Sequence, residues 1–322
     1  MKKIIGIGEL LIDFIPNQKG VALNAVDTFS KKAGGAPANV CVAARKMGTS
    51  SKFLGQVGQD AFGDFLIDTL RTVEVDTTQI IQSKGANTAL AFVSLSTSGE
   101  RDFVFYRNPS ADQLYEGPAD YDMLKDSIIH FCSVSLIEDY PIRTTHKSLL
   151  DYAKKHQIPI SFDPNIRLAL SKDDHAYQKQ IESFLGYADI LKIASDELSF
   201  ITGKSDYDEQ IQWLNRYPWK VLVITLGSHG VTVMTKERTC LVPGYKVDVV
   251  DTTGAGDAWI GAFLSQLALH EQIPTDIPTL TAYAKIANAY AALTTTAYGA
   301  IEAMPSLEKL KQFIKEKDLK RS

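Results

Sequence analysis

Short apolar runs recur along the first 230 residues of the chain, and segments with helical periodicity follow most of them. Each run has four to six residues and ends near Gly, Asp or Ser, as strands buried on both faces do. The runs are Ile4–Ile7, Phe53–Val57, Ile128–Phe131, Ile158–Phe162, Ile190–Ile193 and Val221–Leu226. The intervals between them can hold crossover helices, so the pattern predicts a doubly wound α/β fold with a mostly parallel sheet.

A different periodicity marks two segments outside this series. Leu90–Ser96 and Asp102–Tyr106 alternate between apolar and polar residues, as half-buried strands do, and Thr97–Glu100 supplies a polar turn. Residues 10–33 lack a helical period. We predict that about 10–33 and 86–110 form a small sheet outside the main one, although a surface hairpin without a role would show the same pattern.

Composition and charge narrow the classes of function. The chain has 322 residues, of which 45% are hydrophobic, and no repeat or linker divides it, so residues 1–322 are interpreted as one domain. Its net charge of -4 disfavours nucleic acid as a partner. No run approaches the roughly 18 apolar residues of a membrane span. Three scattered cysteines suit a reducing compartment, and we therefore predict a cytoplasmic protein.

The clearest chemical motif is Asp251–Ala258, with the sequence DTTGAGDA. It follows the apolar stretch Val247–Val250, which is predicted to be a strand, and opens a predicted helix over Ala258–Leu269. Backbone N–H groups at the positive end of a helix dipole bind anions, and in this motif Gly254, Ala255 and Gly256 would supply those N–H groups. Asp257 would lie in the first turn, where it could accept the proton of an attacking hydroxyl. An ordinary strand–loop–helix turn has the same composition, so both interpretations stay open for this motif alone.

A second motif, Gly34–Val40, has the sequence GGAPANV. Paired glycines allow a backbone to approach a ligand closely, and Pro37 suits the first turn of a helix. Asn39 would point from that turn toward whatever lies on the glycines. A tight turn packed against the sheet is the alternative, and the residues alone do not decide between them.

These motifs, in this order, resemble those of the PfkB, or ribokinase-like, carbohydrate kinases. Gly8–Phe14 (GELLIDF) is similar to the family's opening strand and sugar-binding aspartate, and Gly55–Gly63 (GQVGQDAFG) to its GxVGxDxFG segment. Asp251–Trp259 matches its DTTGAGDAF signature, with Trp in place of the final Phe. The similarity extends from about residue 3 to Pro305. It implies a ribokinase-like fold in which the small sheet is a lid over a sugar, with ATP and Mg²⁺ as cofactors.

Within that family the chain is most similar to fructokinases. Their segments resemble Phe105–Asp112 (FYRNPSAD), Cys132–Ile137 (CSVSLI) and Phe162–Arg167 (FDPNIR). The resemblance implies transfer of the γ-phosphoryl group of ATP to a primary hydroxyl of a sugar, with fructose 6-phosphate as the expected product. Two alternatives stay open. One is a 2-keto-3-deoxygluconate kinase or another PfkB sugar kinase, and the other is an inactive relative acting as a binding or regulatory subunit.

The resemblance also implies roles for individual residues. The sugar would be bound by Asp13, Gly34, Gly35, Asn39, Arg107 and Arg167, although either arginine could instead form a surface ion pair. The nucleotide would contact Lys192, Glu197, Thr225, Gly227, Gly230 and Asn288, and Glu197 would also hold Mg²⁺ through water. Asp257 would be the catalytic base, and the transferred charge would be stabilised by Gly254, Ala255 and Gly256.

Two departures from the family pattern affect the metal sites. Ala194 replaces the Asn of the family's NxxE element, which leaves the contact to Mg²⁺ open, whereas Glu197 keeps its place. Ala303 stands where some relatives have a Ser near a monovalent cation. A K⁺ site could still be lined by Asp251, Thr253 and Gly299. Relatives often pair through their lids, so a homodimer of that kind is a further expectation.

Overall fold

The computed structural model of the protein describes residues 1–18, 20–95 and 101–319, so the predicted turn Thr97–Glu100 lies outside the described residues. The strands are β1 (Lys3–Ile7), β2 (Leu11–Pro16), β3 (Phe29–Gly34), β4 (Ser51–Gly58), β5 (Asp76–Ser83), β6 (Leu90–Leu95), β7 (Arg101–Tyr106), β8 (Ser127–Cys132), β9 (Ile160–Asp163), β10 (Ile190–Ala194), β11 (Val221–Thr225), β12 (Gly230–Met234) and β13 (Thr239–Pro243). The helices are α1 (Ala36–Lys46), α2 (Ala61–Thr72), α3 (Pro141–Lys155), α4 (Asp174–Leu185), α5 (Leu198–Thr202), α6 (Tyr207–Leu214), α7 (Ala255–Leu267), α8 (Ile277–Thr294) and α9 (Leu307–Leu319).

The central sheet has nine strands in the order β13-β12-β11-β10-β9-β8-β1-β4-β5. In this spatial order, the seven strands from β11 to β5 are parallel to one another, and β12 and β13 add an antiparallel edge. All six predicted apolar runs overlap strands of the parallel part. The predicted α/β fold with a mostly parallel sheet is therefore confirmed.

Helices cover both faces of this sheet, and successive strand residues enter opposite cores. On β11, Val221 and Val223 belong to the core that contains α1, α7 and α8, whereas Leu222 and Ile224 belong to the core that contains α3 and α4. This alternation explains why the strands are continuously apolar. Among the described residues, no helix has the length and apolar run that crossing a membrane requires. The carboxyl ends of the parallel strands all reach one edge of the sheet, where ligands bind in such folds.

The predicted small sheet is also present, with the strand order β3-β2-β6-β7. β2 pairs antiparallel with β3 and parallel with β6, and β6 and β7 form the predicted antiparallel pair. Phe14 stacks on Phe92 across β2 and β6, with ring centroids 4.8 Å apart, and Phe29 contacts both rings edge-on. This aromatic cluster gives the sheet a packed face of its own.

The predicted strand over Val247–Val250 is wrong. The chain leaves the sheet after β13, which forms the outer edge, and residues 244–249 have no regular secondary structure. Val249 is 59% exposed, and it lines a cavity together with Val247. An apolar run can therefore form a cavity wall as well as a strand. The following helix, α7, begins at Ala255, earlier than the predicted Ala258.

Candidate active site

Two cavities lie where the parallel strands end. The small-sheet cavity, of about 350 Å³, lies between the small sheet and the start of α7, and its walls include Asp13, Asn39 and Asp257. The α8 cavity, of about 260 Å³, lies between the β11–β12 turn and α8. Thr252 and Gly256 line both cavities. Ligands bound in the two cavities would therefore meet at the N-terminus of α7.

Asp257 lies at this meeting point, in the first turn of α7, and is 7% exposed. Asn39 Nδ2 donates to Asp257 Oδ2 at 2.8 Å, and Asn165 Nδ2 donates to Oδ1 at 3.4 Å. Burial raises the pKa of Asp257 from 3.8 to about 6, and the bond from Asn39 acts in the opposite direction. The carboxylate is therefore ionised at neutral pH, yet basic enough to accept a proton.

The N-terminus of α7 combines helix N–H groups with a buried ammonium. Lys192 Nζ lies 3.3 Å from the position that a Cβ on Gly256 would take, and it pairs with Asp163 Oδ2 at 2.5 Å. Burial alone would lower the pKa of Lys192, but the carboxylates of Asp163 and Glu197 raise it, so the group is charged. The N–H of Ala255 already donates to Thr252 O at 3.2 Å. Lys192 thus supplies positive charge to the small-sheet cavity, which it lines.

Glu197 is held by backbone groups on both of its oxygens. Oε1 accepts from the N–H of Ile166 at 2.6 Å, and Oε2 accepts from the N–H of Ala194 at 3.0 Å. Because Ala194 uses its backbone, no polar side chain at that position is needed to hold Glu197. Burial and the nearby Asp163 raise the pKa of Glu197. Glu197 is not among the described residues that line either cavity, and we describe it as lying behind their walls.

Asp13 lines the small-sheet cavity from β2, and the glycine pair lies beside it. A Cβ on Gly34 would fall 2.1 Å from Asp13 Oδ2, so any side chain there would displace the carboxylate. Gly35 also lines the cavity, and Glu9 contributes a further carboxyl group to the wall. Glu9 Oε1 accepts from the N–H of Ala36 at the start of α1. Burial raises the pKa of Glu9 to about 7, although the nearby Arg107 opposes this.

The two arginines predicted to bind the sugar differ in their surroundings. Arg167 lines the small-sheet cavity and donates to Ile166 O at 2.9 Å. Arg107 is 7% exposed and forms an ion pair with Asp112, which is 1% exposed. Arg107 lines an adjoining cavity rather than the one that contains Asp257. It is therefore a member of a buried ion pair rather than the surface pair considered from sequence, and its role toward a sugar stays a prediction.

The residues predicted to contact nucleotide gather around the α8 cavity, except for Lys192 and Glu197. Thr225, Gly227, Gly230 and Asn288 all line it. The side chain of Asn288 is already engaged, because its Nδ2 donates to the carbonyls of Val242 and Pro243 and its Oδ1 accepts from Trp259 Nε1 at 2.7 Å. A Phe at position 259 could not donate that bond, which gives the unusual Trp a structural role.

The three residues predicted to surround a monovalent cation also lie together. Asp251 Oδ1 accepts from the N–H and the Oγ1 of Thr253, at 2.9 and 2.6 Å, and Oδ2 accepts from the N–H of Gly299 at 2.9 Å. Asp251 thereby joins the loop before α7 to the loop after α8.

Sequence reasoning assigned no role to three polar residues of the site, Glu9, Asp163 and Asn165. In the FDPNIR segment, Asp163 is the last residue of β9 and Asn165 follows it, and Glu9 lies shortly after β1. Polar residues at the carboxyl ends of parallel strands are the signal that could have identified all three.

Comparison with known proteins identifies the family. Residues 1–307 match the model of the pfkB family of carbohydrate kinases. The chain is 41% identical to probable fructokinase-5 of Arabidopsis thaliana over 317 aligned residues, and the alignment covers 98% of each protein.

Two solved structures agree with this match. A fructokinase from Xylella fastidiosa with bound ATP has a TM-score of 0.87 and 32% identity, over 99% of this chain and 100% of that one. A double mutant of fructokinase from Vibrio cholerae, bound to fructose, ADP and potassium ion, has the same TM-score and identity over 97% and 98%. The chain therefore belongs to the pfkB family of carbohydrate kinases, and it is an ATP-dependent sugar kinase.

Proposed function

We propose that the protein phosphorylates fructose, transferring the γ-phosphoryl group of ATP to the 6-hydroxyl and releasing ADP. The observation that carries this proposal is the pair of cavities that share Thr252 and Gly256, with Asp257 beside the shared wall. Fructose would occupy the small-sheet cavity and ATP the α8 cavity. The similarity to fructokinases over nearly the whole chain supports fructose as the sugar.

In this mechanism Asp257 accepts the proton of the 6-hydroxyl while Asn39 and Asn165 hold its carboxylate in place. Gly254, Ala255 and Gly256 present the N-terminus of α7 to the transferred group, and Lys192 adds a positive charge next to Gly256. The small sheet would act as a lid that excludes water from the transferred phosphoryl group.

The residues behind the cavities also fit a divalent cation. Asp163 Oδ1 is buried and has no hydrogen-bond partner among the described residues, and Asp163 lies close enough to Glu197 to raise the pKa of that carboxyl group. Asp163 and Glu197 are therefore the carboxylates suited to hold Mg²⁺ through water. The ion would supply positive charge at the β- and γ-phosphates of ATP. We also propose K⁺ beside Asp251, Thr253 and Gly299, since one neighbouring fructokinase binds potassium ion.

The charge of the small-sheet cavity argues against an acidic sugar such as 2-keto-3-deoxygluconate. Its wall carries two cationic side chains, Arg167 and Lys192, and three acidic ones, Glu9, Asp13 and Asp257. Asp163 already pairs with Lys192, and Asp112 with Arg107. Because Lys192 is paired with Asp163, and because Glu9 with a pKa of about 7 is partly protonated at neutral pH, the balance of charge on the wall is set by Asp13 and Asp257 against Arg167. That balance disfavours a sugar carboxylate relative to a neutral sugar.

An assay that couples ADP release to NADH oxidation, run with fructose, other neutral sugars and 2-keto-3-deoxygluconate, tests the proposed substrate. We expect the highest kcat/KM with fructose. A higher value with the acidic sugar would overturn the assignment. Absence of ADP release with every sugar would instead support the inactive binding subunit.

Replacing Asp13 by Ala is expected to weaken sugar binding in particular. Loss of a hydrogen bond to a sugar hydroxyl would leave a polar group unpaired, at about 1–3 kcal/mol, or roughly 5- to 150-fold in KM for the sugar. KM for ATP should change little, and Asp27→Ala, at an exposed acid of the same region, should change neither. Equal increases in both KM values for Asp13→Ala would mean that Asp13 is structural.

The pH profile should follow the ionisation of Asp257. Because only the carboxylate can accept a proton, kcat/KM should be constant above the pKa of about 6 and fall by about tenfold per pH unit below it. Initial rates between pH 5 and 8 in the coupled assay give this profile. A flat profile down to pH 5 would contradict a base with a raised pKa.

We place the protein in the cytoplasm, because its three cysteines are free, and expect no nucleic acid or membrane partner. A homodimer through the small sheet is supported by the edge strand β7, where Val104 is 44% and Tyr106 63% exposed. Sedimentation of the purified protein would measure the oligomeric state.

A further inference from the structure

The segment of residues 299–304, here called the 299–304 loop, is part of the connection between α8 and α9 and lies directly against the N-terminus of α7. Gly254 is the N-cap of α7 and has φ of +72°, and a Cβ on Gly254 would fall 2.7 Å from the Cβ of Ala300. The N–H of Gly299 donates to Asp251 Oδ2 at 2.9 Å. The 299–304 loop therefore contacts the beginning and the middle of the DTTGAGDA motif, and its position limits where Gly254 can lie.

Lys46, the last residue of α1, holds this loop from behind. Its Nζ donates to Ile301 O at 2.8 Å and to Met304 O at 2.7 Å. Burial lowers the pKa of Lys46, and the nearby Glu302 carboxylate opposes that shift. The carbonyls of Ile301 and Met304 thus both accept from one partly buried ammonium, and these bonds hold a loop that has no regular secondary structure.

Helix α1 connects this contact to the catalytic base. Asn39, in the first turn of α1, donates to Asp257, whereas Lys46 contacts the 299–304 loop from the other end of the helix. Helices α1 and α7 pack so closely that a Cβ on Gly261 would lie 2.5 Å from Ala43 Cβ. One short helix thereby fixes both Asp257 and the loop behind Gly254.

We propose that Lys46 is a positioning residue for phosphoryl transfer, because its ammonium fixes the 299–304 loop and the loop places Gly254 at the N-terminus of α7. This inference rests on the proposed role of that N-terminus in binding the transferred group. Phosphoryl transfer depends on positioning, and a displacement of about 1 Å in an active site can cost on the order of 100-fold in rate.

The test compares Lys46→Met, which keeps the length of the side chain but cannot donate, with Lys46→Arg, which keeps the charge and the donors. Arg45→Met is the matched control, since Arg45 is the adjacent basic residue and pairs with Glu74. Each folded variant is assayed with whichever sugar the wild type phosphorylates best, so that a wrong assignment of fructose does not affect the comparison. Failure of the proposed mechanism at Asp257 would appear separately, as wild-type kcat in Asp257→Asn.

We expect kcat of Lys46→Met to fall about 10- to 100-fold with the sugar KM changed by less than about twofold, and Lys46→Arg to recover most of the loss. Arg45→Met should resemble the wild type. Hydrogen–deuterium exchange of the peptide that contains residues 251–257 should accelerate in Lys46→Met while exchange of the core strand β11 does not, whereas a loss of global stability would accelerate both. If Lys46→Met does not fold, the same two measurements on Lys46→Gln decide. Wild-type kcat in the folded variant, or unchanged exchange over residues 251–257, would overturn the proposal.

Discussion

Replacing Asp257 by Asn is expected to lower kcat about 10²- to 10⁴-fold, the usual cost of losing a general base. The amide cannot take the hydroxyl proton, although it has nearly the shape of the carboxylate. It can still accept from Asn39, which lies 2.8 Å from the present carboxylate, so the fold should be retained. Binding of ATP should also be nearly unchanged, because the α8 cavity does not include Asp257 among its described lining residues.

Stopped or coupled assays at saturating sugar and ATP give kcat, and calorimetric titration gives the Kd for ATP. Asp248→Asn is a suitable control, because Asp248 is an exposed acid shortly before the same motif. A kcat of Asp257→Asn within about threefold of the wild type would exclude Asp257 as the base. Loss of ATP binding in the same variant would indicate a disrupted N-terminus of α7 rather than a missing base.

Replacing Arg107 by Met is expected to reduce the free energy of unfolding by about 3–5 kcal/mol. The substitution leaves Asp112, which is 1% exposed, without the cation that balances it. The hydroxyl of Ser110 donates to Asp112 Oδ1 at 2.5 Å but carries no charge. Since a domain typically has only about 5–15 kcal/mol of stability, this loss should appear as a large shift of the urea midpoint.

The exposed pair Arg71–Asp68 provides the control for this measurement. Its side chains are 63% and 73% exposed, and Arg71→Met should cost less than about 1 kcal/mol. Adding Asp112→Asn to Arg107→Met should recover part of the loss, because the double variant no longer buries an unbalanced charge. If Arg107→Met is no more destabilising than Arg71→Met and instead raises the sugar KM, then Arg107 serves the substrate and not the fold.

The sequence predicted the parallel sheet well because strands buried on both faces are continuously apolar. In β11, Val221 to Ile224 are all apolar and all buried. The small sheet was predictable for the opposite reason, since alternation separates its packed face from its exposed face. The run Val247–Val250 is as apolar as the strands of the parallel sheet, but it forms part of a cavity wall. The composition of a short segment does not show whether a sheet or a cavity lies next to it.

At the candidate site, most of the residues predicted from motifs line one of the two cavities, but the motifs did not show what each side chain contacts. Arg107 and Asp112 stand five residues apart in the chain, yet only the fold shows that both are buried and paired. Lys192 was predicted to contact nucleotide, and the fold places it on the wall of the small-sheet cavity beside Gly256. Such assignments depend on side-chain direction at the end of a strand, which periodicity does not determine.

Apart from Thr252 and Gly256, the two cavities are lined by different residues, and this has a consequence for how such enzymes diversify. The small sheet contributes Leu11, Asp13, Ile15, Val93 and Phe105 to the small-sheet cavity, and among its described residues none lines the α8 cavity. If the sugar occupies the small-sheet cavity and ATP the α8 cavity, as proposed, mutations in those strands would change which acceptor is recognised and leave the ATP-binding cavity unchanged. A fold arranged in this way could acquire new acceptors through changes that are confined to the small sheet.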